Sequence, residues 1–286
     1  MYSTTWIPSA PLAGPSAFLK KSFAYHAIRA VPHRLMRSRT PATVRASYDE
    51  SRSATARRLE AIDWDAYTRF PTDLCDFTLL DNQLRWGPLR EVRDRMIGRL
   101  HATVDAFSRR GRVVVEFGSG DGRNLLVLGR AFPEMRFVGL ELSPVSVDLS
   151  RAAAERFGVP NVQFMTANVC EPLPPLPFHD DVAVAYSCFA LEMMPRIFMR
   201  AIGNMAATSP AALAFFEPIS ELWSRDLRGL TSRLRVFQLD RLVGFVAGLR
   251  ATLDERQWAI CTMERSGLAL NPLNEMCEVR LERRAL

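Results

Sequence analysis

Residues 113–125 read Val113-Val114-Val115-Glu116-Phe117-Gly118-Ser119-Gly120-Asp121-Gly122-Arg123-Asn124-Leu125. Three consecutive β-branched residues open a buried strand. The strand runs into three alternating glycines, where the turn needs backbone angles and a close ligand approach that a Cβ would block. A helix then begins, and its free backbone N–H groups can face a ligand. A dinucleotide fingerprint would need a third glycine three residues after Gly120, but Arg123 stands there and the glycine comes one residue earlier, at Gly122. A nicotinamide-dependent dehydrogenase is therefore disfavoured.

Outward from this loop, short apolar runs alternate with helical segments. The strand candidates are residues 113–117, 137–142, 162–166, 182–186 and 212–217, with helices expected at 123–131, 145–157 and 189–205. Such alternation predicts a doubly wound α/β fold with helices on both faces of the sheet. Two further runs, 258–264 and 275–284, have no helix between them and read as a terminal antiparallel pair. The expectation is a Rossmann-like, mostly parallel seven-stranded sheet with an antiparallel C-terminal strand and a helical N-terminal cap. The domain reading is a basic disordered leader over 1–47, a helical cap over 48–110, and an α/β domain over 111–286 with a helical insertion at 219–253. Within the cap, a helix starting at Pro88 repeats apolar residues at Val92, Met96, Leu100, Val104 and Phe107 and ends before Gly111.

The glycine loop with its preceding acid resembles the first motif of the class I S-adenosylmethionine-dependent methyltransferases. Three further stretches strengthen that resemblance. Val138-Gly139-Leu140-Glu141 ends the next strand with an acid able to accept both ribose hydroxyls of a nucleoside. Phe164-Met165-Thr166-Ala167-Asn168-Val169 carries Asn168 where the family has Asp, and its carbonyl oxygen can still accept from the adenine amino group. Residues 180–195 look like the family's fourth strand and its following helix, with Tyr186 at the ligand-binding end. The resemblance implies S-adenosyl-L-methionine as cofactor. It implies cofactor contacts from Glu116, Gly118, Ser119, Gly120, Asp121, Gly122 and Asn124, with Glu116 orienting the methionine amino group. It implies further contacts from Glu141, Leu142, Asn168, Val169 and Tyr186. No Asn/Asp-Pro-Pro-Tyr motif is present, which argues against adenine or glutamine amide methylation, and Tyr186 replaces the Asp expected of aminopropyltransferases.

For catalysis the candidates are Glu217, at the end of the fifth α/β strand, His179, in the loop before the fourth, and Tyr186. The aromatics Trp64, Tyr67, Trp86 and Trp223 could line an apolar acceptor pocket, though aromatics at helical spacing usually belong to the core. The expected reaction is methyl transfer to an O, N, S or carboxylate acceptor of a small organic molecule. A protein or peptide methyltransferase and a non-catalytic cofactor-binding partner subunit are the alternatives. Turnover with small metabolites against peptide extracts would separate the three.

Composition and charge constrain the rest. The chain has 286 residues, 48% of them hydrophobic and 24% charged, enough to bury a full core. No uncharged apolar run is long enough for a membrane span. Five scattered cysteines without a C-x-x-C pair, and four histidines without ligand spacing, argue against a disulfide framework or a zinc site. The net charge is +6, yet residues 1–48 hold seven basic side chains and no acid, leaving thirty basic against thirty-one acidic residues elsewhere. That nearly neutral body argues against a nucleic-acid partner. The basic leader fits a plain cytoplasmic extension or, as the alternative, a mitochondrial or plastid transit peptide. The sequence leaves oligomeric state open.

Overall fold

A computed structural model describes residues 14–36, 41–69, 74–176, 181–194, 197–239 and 241–284. Its centre is a seven-stranded sheet built from β3 (Val113–Phe117), β4 (Arg136–Glu141), β5 (Val162–Thr166), β6 (Val182–Cys188), β7 (Ala212–Glu217), β8 (Trp258–Leu268) and β9 (Met276–Arg283). The spatial order is β5-β4-β3-β6-β7-β9-β8, parallel from β5 to β7, with β9 antiparallel to both β7 and β8. Strand order reverses between β3 and β6, and open α/β sheets bind ligands at that switch point, beyond the carboxyl ends of the strands.

Alternation along β3 explains where its glutamate points. Val113, Val115 and Phe117 enter one core with helices α7 (Phe198–Ala207), α8 (Leu227–Gln238) and α9 (Phe245–Thr252). Val114 enters the opposite core, against α4 (Leu89–Phe107), α5 (Arg123–Ala131) and α6 (Pro144–Arg156). Glu116 is two residues from Val114, so it shares that second face. On α4 the buried stripe is Leu89, Val92, Met96, Leu100, Thr103, Val104 and Phe107, the three- and four-residue spacing of one helical face. Each such apolar side chain contributes about 1.5–3 kcal/mol by leaving water. Helix α6 starts sharply because Ser143 caps it, accepting from the Ser146 N–H at 3.1 Å, with Pro144 in the first turn.

Three expectations need correction. The segment expected to be a disordered leader contains helix α1 (Pro15–Met36), which packs along α8. Phe18 is buried and stacks on Phe77 at 4.7 Å, and His26 bonds Gln238 at 2.6 Å. A weakly patterned segment thus gains order from partners distant in sequence. A second helix, α2 (Pro41–Ala56), follows and packs on α6.

The cap over 48–110 is not wholly helical. After the short helix α3 (Trp64–Thr68) comes a hairpin of β1 (Cys75–Leu80) and β2 (Gln83–Pro88). Its two-residue turn puts Asp81 and Asn82 at φ 50° and 65°, the left-handed pair a tight hairpin demands. The helix expected over 189–205 is instead a 3₁₀ turn at Leu191–Met193 followed by α7 from Phe198. Met194 precedes Pro195 and lies outside the helical region at φ −119°, ψ 52°, as a residue before proline should. The helical insertion at 219–253 consists of two helices, α8 and α9. Among the described residues, no helix is long and apolar enough to cross a membrane.

Candidate active site

The three loop glycines all have positive φ, 79° at Gly118, 57° at Gly120 and 73° at Gly122, but they serve different ends. A Cβ on Gly118 would come within 2.4 Å of the Ala190 side chain, and one on Gly122 within 2.5 Å of the Phe164 ring. Those two are closed by packing. Gly120 has open space where its side chain would be, so the backbone there is a cradle for a ligand. Its N–H donates to Glu141 Oε2 at 3.0 Å, and the Ser143 N–H donates to Glu141 Oε1 at 2.9 Å. Each carboxylate oxygen has a second lone pair, which leaves capacity for two ribose hydroxyls. Burial raises the Glu141 carboxyl from its ordinary value, opposed by those two N–H groups.

Glu116 lies on the floor of the loop. Its Oε1 accepts from Asn124 Nδ2 at 2.7 Å, and Asn124 Oδ1 in turn accepts from Arg93 at 2.7 Å. The Tyr186 hydroxyl faces the same carboxyl across the paired strands β3 and β6. Glu116 and Tyr186 meet each other there, and neither Glu116 Oε2, nor Tyr186 Oη, nor the buried Ser119 Oγ has a further partner among the described residues. Burial pushes the Glu116 carboxyl up to about 8. Buried polar atoms are seldom left short of partners, and three around one open cradle mark a place for a ligand. The residues fit a nucleoside joined to a zwitterionic amino acid.

This glycine cradle with its two acids stands on β3 and β4. Residues 114–208 match a family model described as a methyltransferase domain. Those residues carry a methyltransferase domain. A curated tRNA (guanine-N(7)-)-methyltransferase of Klebsiella pneumoniae is 36% identical over 67 residues, which cover 23% of this chain and 28% of the relative. The chain thus spans about a quarter of the length of the curated relatives it matches. Among solved structures, magnesium protoporphyrin IX methyltransferase from Synechocystis PCC 6803 with bound SAH superposes with a TM-score of 0.53 at 18% identity. That match covers 68% of this chain and 85% of the other. The cyclase SpnF gives 0.54 at 14% identity, covering 83% and 96%. Identities this low carry the fold, and the cyclase is a reminder that chemistry is set by the site.

The methyltransferase domain disposes of its expected site residues unevenly. Glu116, Ser119, Gly120, Asn124, Glu141 and Tyr186 come together around the cradle. Asp121 turns to the rim, where it pairs with Arg52 of α2 and Arg123, each at 2.8 Å, while its backbone carbonyl accepts from Tyr67. Leu142 is half-buried beside Glu141. Asn168 serves a turn: its Oδ1 accepts from the Cys170 N–H at 3.1 Å and its Nδ2 donates to Glu171 at 2.8 Å. Val169, its neighbour, is buried in the core on the α7 side of the sheet.

The catalytic candidates fare worse. Glu217 does not open on the substrate mouth. It is fully buried, and it accepts from the backbone N–H groups of Ala190 at 2.9 Å, Leu191 at 3.0 Å and Glu192 at 3.3 Å. Those are orphan donors of the 3₁₀ turn, so Glu217 is its cap. Tyr186 is no base, because burial and the neighbouring Glu116 raise its hydroxyl and keep the proton on. His179 lies outside the described residues. The four aromatics share no pocket: Trp86 is an exposed residue of the hairpin, Trp64 and Tyr67 pack on Phe157, and Trp223 donates to the Glu275 carbonyl at 3.0 Å.

Two participants escape a reading of the sequence. Arg93 follows Val92, on the border of the buried stripe of α4, and its only signal was a cation beside an apolar face. Cys188, at the end of β6, stands in the field of Glu116, Arg93 and Glu217, and burial raises its thiol well above the ordinary range.

Proposed function

We propose that this chain transfers the methyl group of S-adenosylmethionine to a small organic acceptor. The observation that carries the reading is the buried pair of Glu116 and Tyr186 beside Arg93, without further partners among the described residues, under the open backbone of Gly120. A buried carboxyl and a cation bridged by one amide complement an amino-acid zwitterion, Glu116 ionising toward its ammonium and Arg93 facing its carboxylate. Glu141 takes the ribose hydroxyls, Leu142 and Val169 flank the base, and Asn168 accepts from the adenine amino group with the lone pair its turn leaves over.

When bound, the cofactor supplies an electrophilic methyl on a sulfonium. The chain's own contribution is to hold acceptor and methyl close and in line, which is catalysis by proximity. Helix α2 covers the cofactor rim through two polar links, Asp49 with Ser143 and Arg52 with Asp121. Helices α8 and α9 enclose the side of β7, and this cover favours a small acceptor over a tRNA.

Calorimetric titration with S-adenosylmethionine and S-adenosylhomocysteine tests the reading, followed by turnover assays with small metabolites, peptides and tRNA. Micromolar one-to-one binding and turnover with metabolites alone are expected. A folded protein that binds neither cofactor form contradicts the reading, and turnover with tRNA or peptides alone would move the acceptor to that class.

A further inference from the structure

A second polar cluster lies at the carboxyl edge of the sheet, on the β6–β7 side of the switch point. Three connections converge there. Glu192 belongs to the 3₁₀ turn after β6, Arg241 to the connection between α8 and α9, and Asn274 to the connection between β8 and β9. Because β9 runs antiparallel to β7 with Cys277 opposite Glu217, the residues just before β9 reach the edge where β7 ends. The turn carrying Glu192 is pinned by Glu217 and packs its Ala190 against Gly118, so the cluster adjoins the glycine loop.

Within it, Glu192 is buried and ion-paired with Arg241. Asn274 Nδ2 donates to the Glu192 carboxylate, at 3.2 Å to Oε2 and 3.4 Å to Oε1. A carboxylate can only accept, so this contact fixes which way the amide points. The amide oxygen of Asn274 therefore faces away from Glu192, and it is buried with no hydrogen-bond partner among the described residues. The orphans under Gly120 answer to the cofactor, whereas this one belongs to a different cluster and is left unexplained by it. The connections that form the cluster also carry partly buried apolar side chains, Met194 after the 3₁₀ turn and Leu270 before Asn274.

We propose that Asn274, oriented by the Glu192–Arg241 pair, is a specificity-determining residue for the acceptor, and that it receives a hydroxyl or N–H donor of an otherwise apolar molecule. The inference rests on the methyltransferase reading and deepens it. A buried acceptor that is paired only when the right ligand is present rejects analogues lacking the donor, since these leave it unpaired. Arg241 holds Glu192 in place, which makes the pair a fixed clamp on the amide.

The test uses the full chain saturated with S-adenosylhomocysteine and follows binding of small probes by ligand-observed NMR. Phenol is compared with anisole, and indole with N-methylindole, so that each pair differs in the donor. The wild type is expected to favour phenol and indole about tenfold, and Asn274→Leu to reduce that preference below about twofold with S-adenosylhomocysteine affinity unchanged. Asn274→Ala provides the same comparison with less bulk should the leucine variant fail to fold. A wild type without preference, or a preference that survives in the folded variants, overturns the proposal while leaving the cofactor reading intact. Absence of S-adenosylhomocysteine binding in the wild type is the separate result that removes the reading beneath it.

Discussion

Strands β3 and β7 each carry a buried glutamate at their carboxyl ends, Glu116 and Glu217, and burial raises both carboxyls, to about 8 and about 7. Perturbed titration therefore does not distinguish them. Their hydrogen bonds do. Glu217 accepts three backbone N–H groups and closes a turn, whereas Glu116 spends one oxygen on Asn124 and leaves the other with only the Tyr186 hydroxyl, beneath an open backbone. A buried carboxylate whose partners all come from the fold is structural. One whose partners are incomplete awaits a ligand.

The comparison is broken most directly at Glu217. Glu217→Leu strands three buried N–H groups and is expected to lower unfolding stability by about 3–4 kcal/mol, read from urea denaturation. A loss under about 1 kcal/mol would show that the turn does not depend on it. At Glu116 the effect should fall on binding instead. Glu116→Gln keeps the size of the side chain but cannot ionise, and should weaken S-adenosylmethionine binding by about 1.5–3 kcal/mol without lowering stability at neutral pH.

Its pH behaviour should change as well. The folded protein holds a proton on Glu116 that the unfolded chain releases near the ordinary carboxylate value of 4.5. Stability of the free wild type therefore falls as pH rises from about 4.5 through 8, and the variant's thermal melting should depend less on pH across that window. A variant with the wild-type profile would assign the decline to other groups.

The rim offers smaller effects. Glu141→Ala should cost about 1–3 kcal/mol of cofactor affinity with the fold intact, and unchanged affinity would remove the ribose assignment. Arg52→Ala releases one link between α2 and Asp121 and should shift melting by less than about 1 kcal/mol equivalent, as expected of a pair near solvent. A larger loss would make α2 a structural element rather than a cover.

How much of this was legible beforehand follows from where each signal resides. Strands β3 and β7 fall where the apolar runs end, because they lie inside the sheet and every residue is buried. Glycine spacing pointed to the cradle and to Glu116 because that geometry is local. The docking of helix α1 was not legible, since its partner α8 lies some two hundred residues away. The β1–β2 hairpin was hidden by an Asp-Asn turn where Asn-Gly or Asp-Gly is the stronger signal. Glu217 misled because a strand-end acid reads alike whether it faces a ligand or caps a turn. Arg93 and Asn274 reach their sites only through tertiary packing.

The account turns on Glu116 as the group that meets the cation of the cofactor, and proton linkage measures that directly. At pH 7 the free protein carries Glu116 mostly protonated, and pairing with an ammonium group would ionise it. Calorimetric titration with S-adenosylmethionine at pH 7, in two buffers of different ionisation enthalpy, should show close to one proton released per cofactor bound, and none beyond background in Glu116→Gln. Binding of wild type with no proton release, or the same release from the variant, would contradict it.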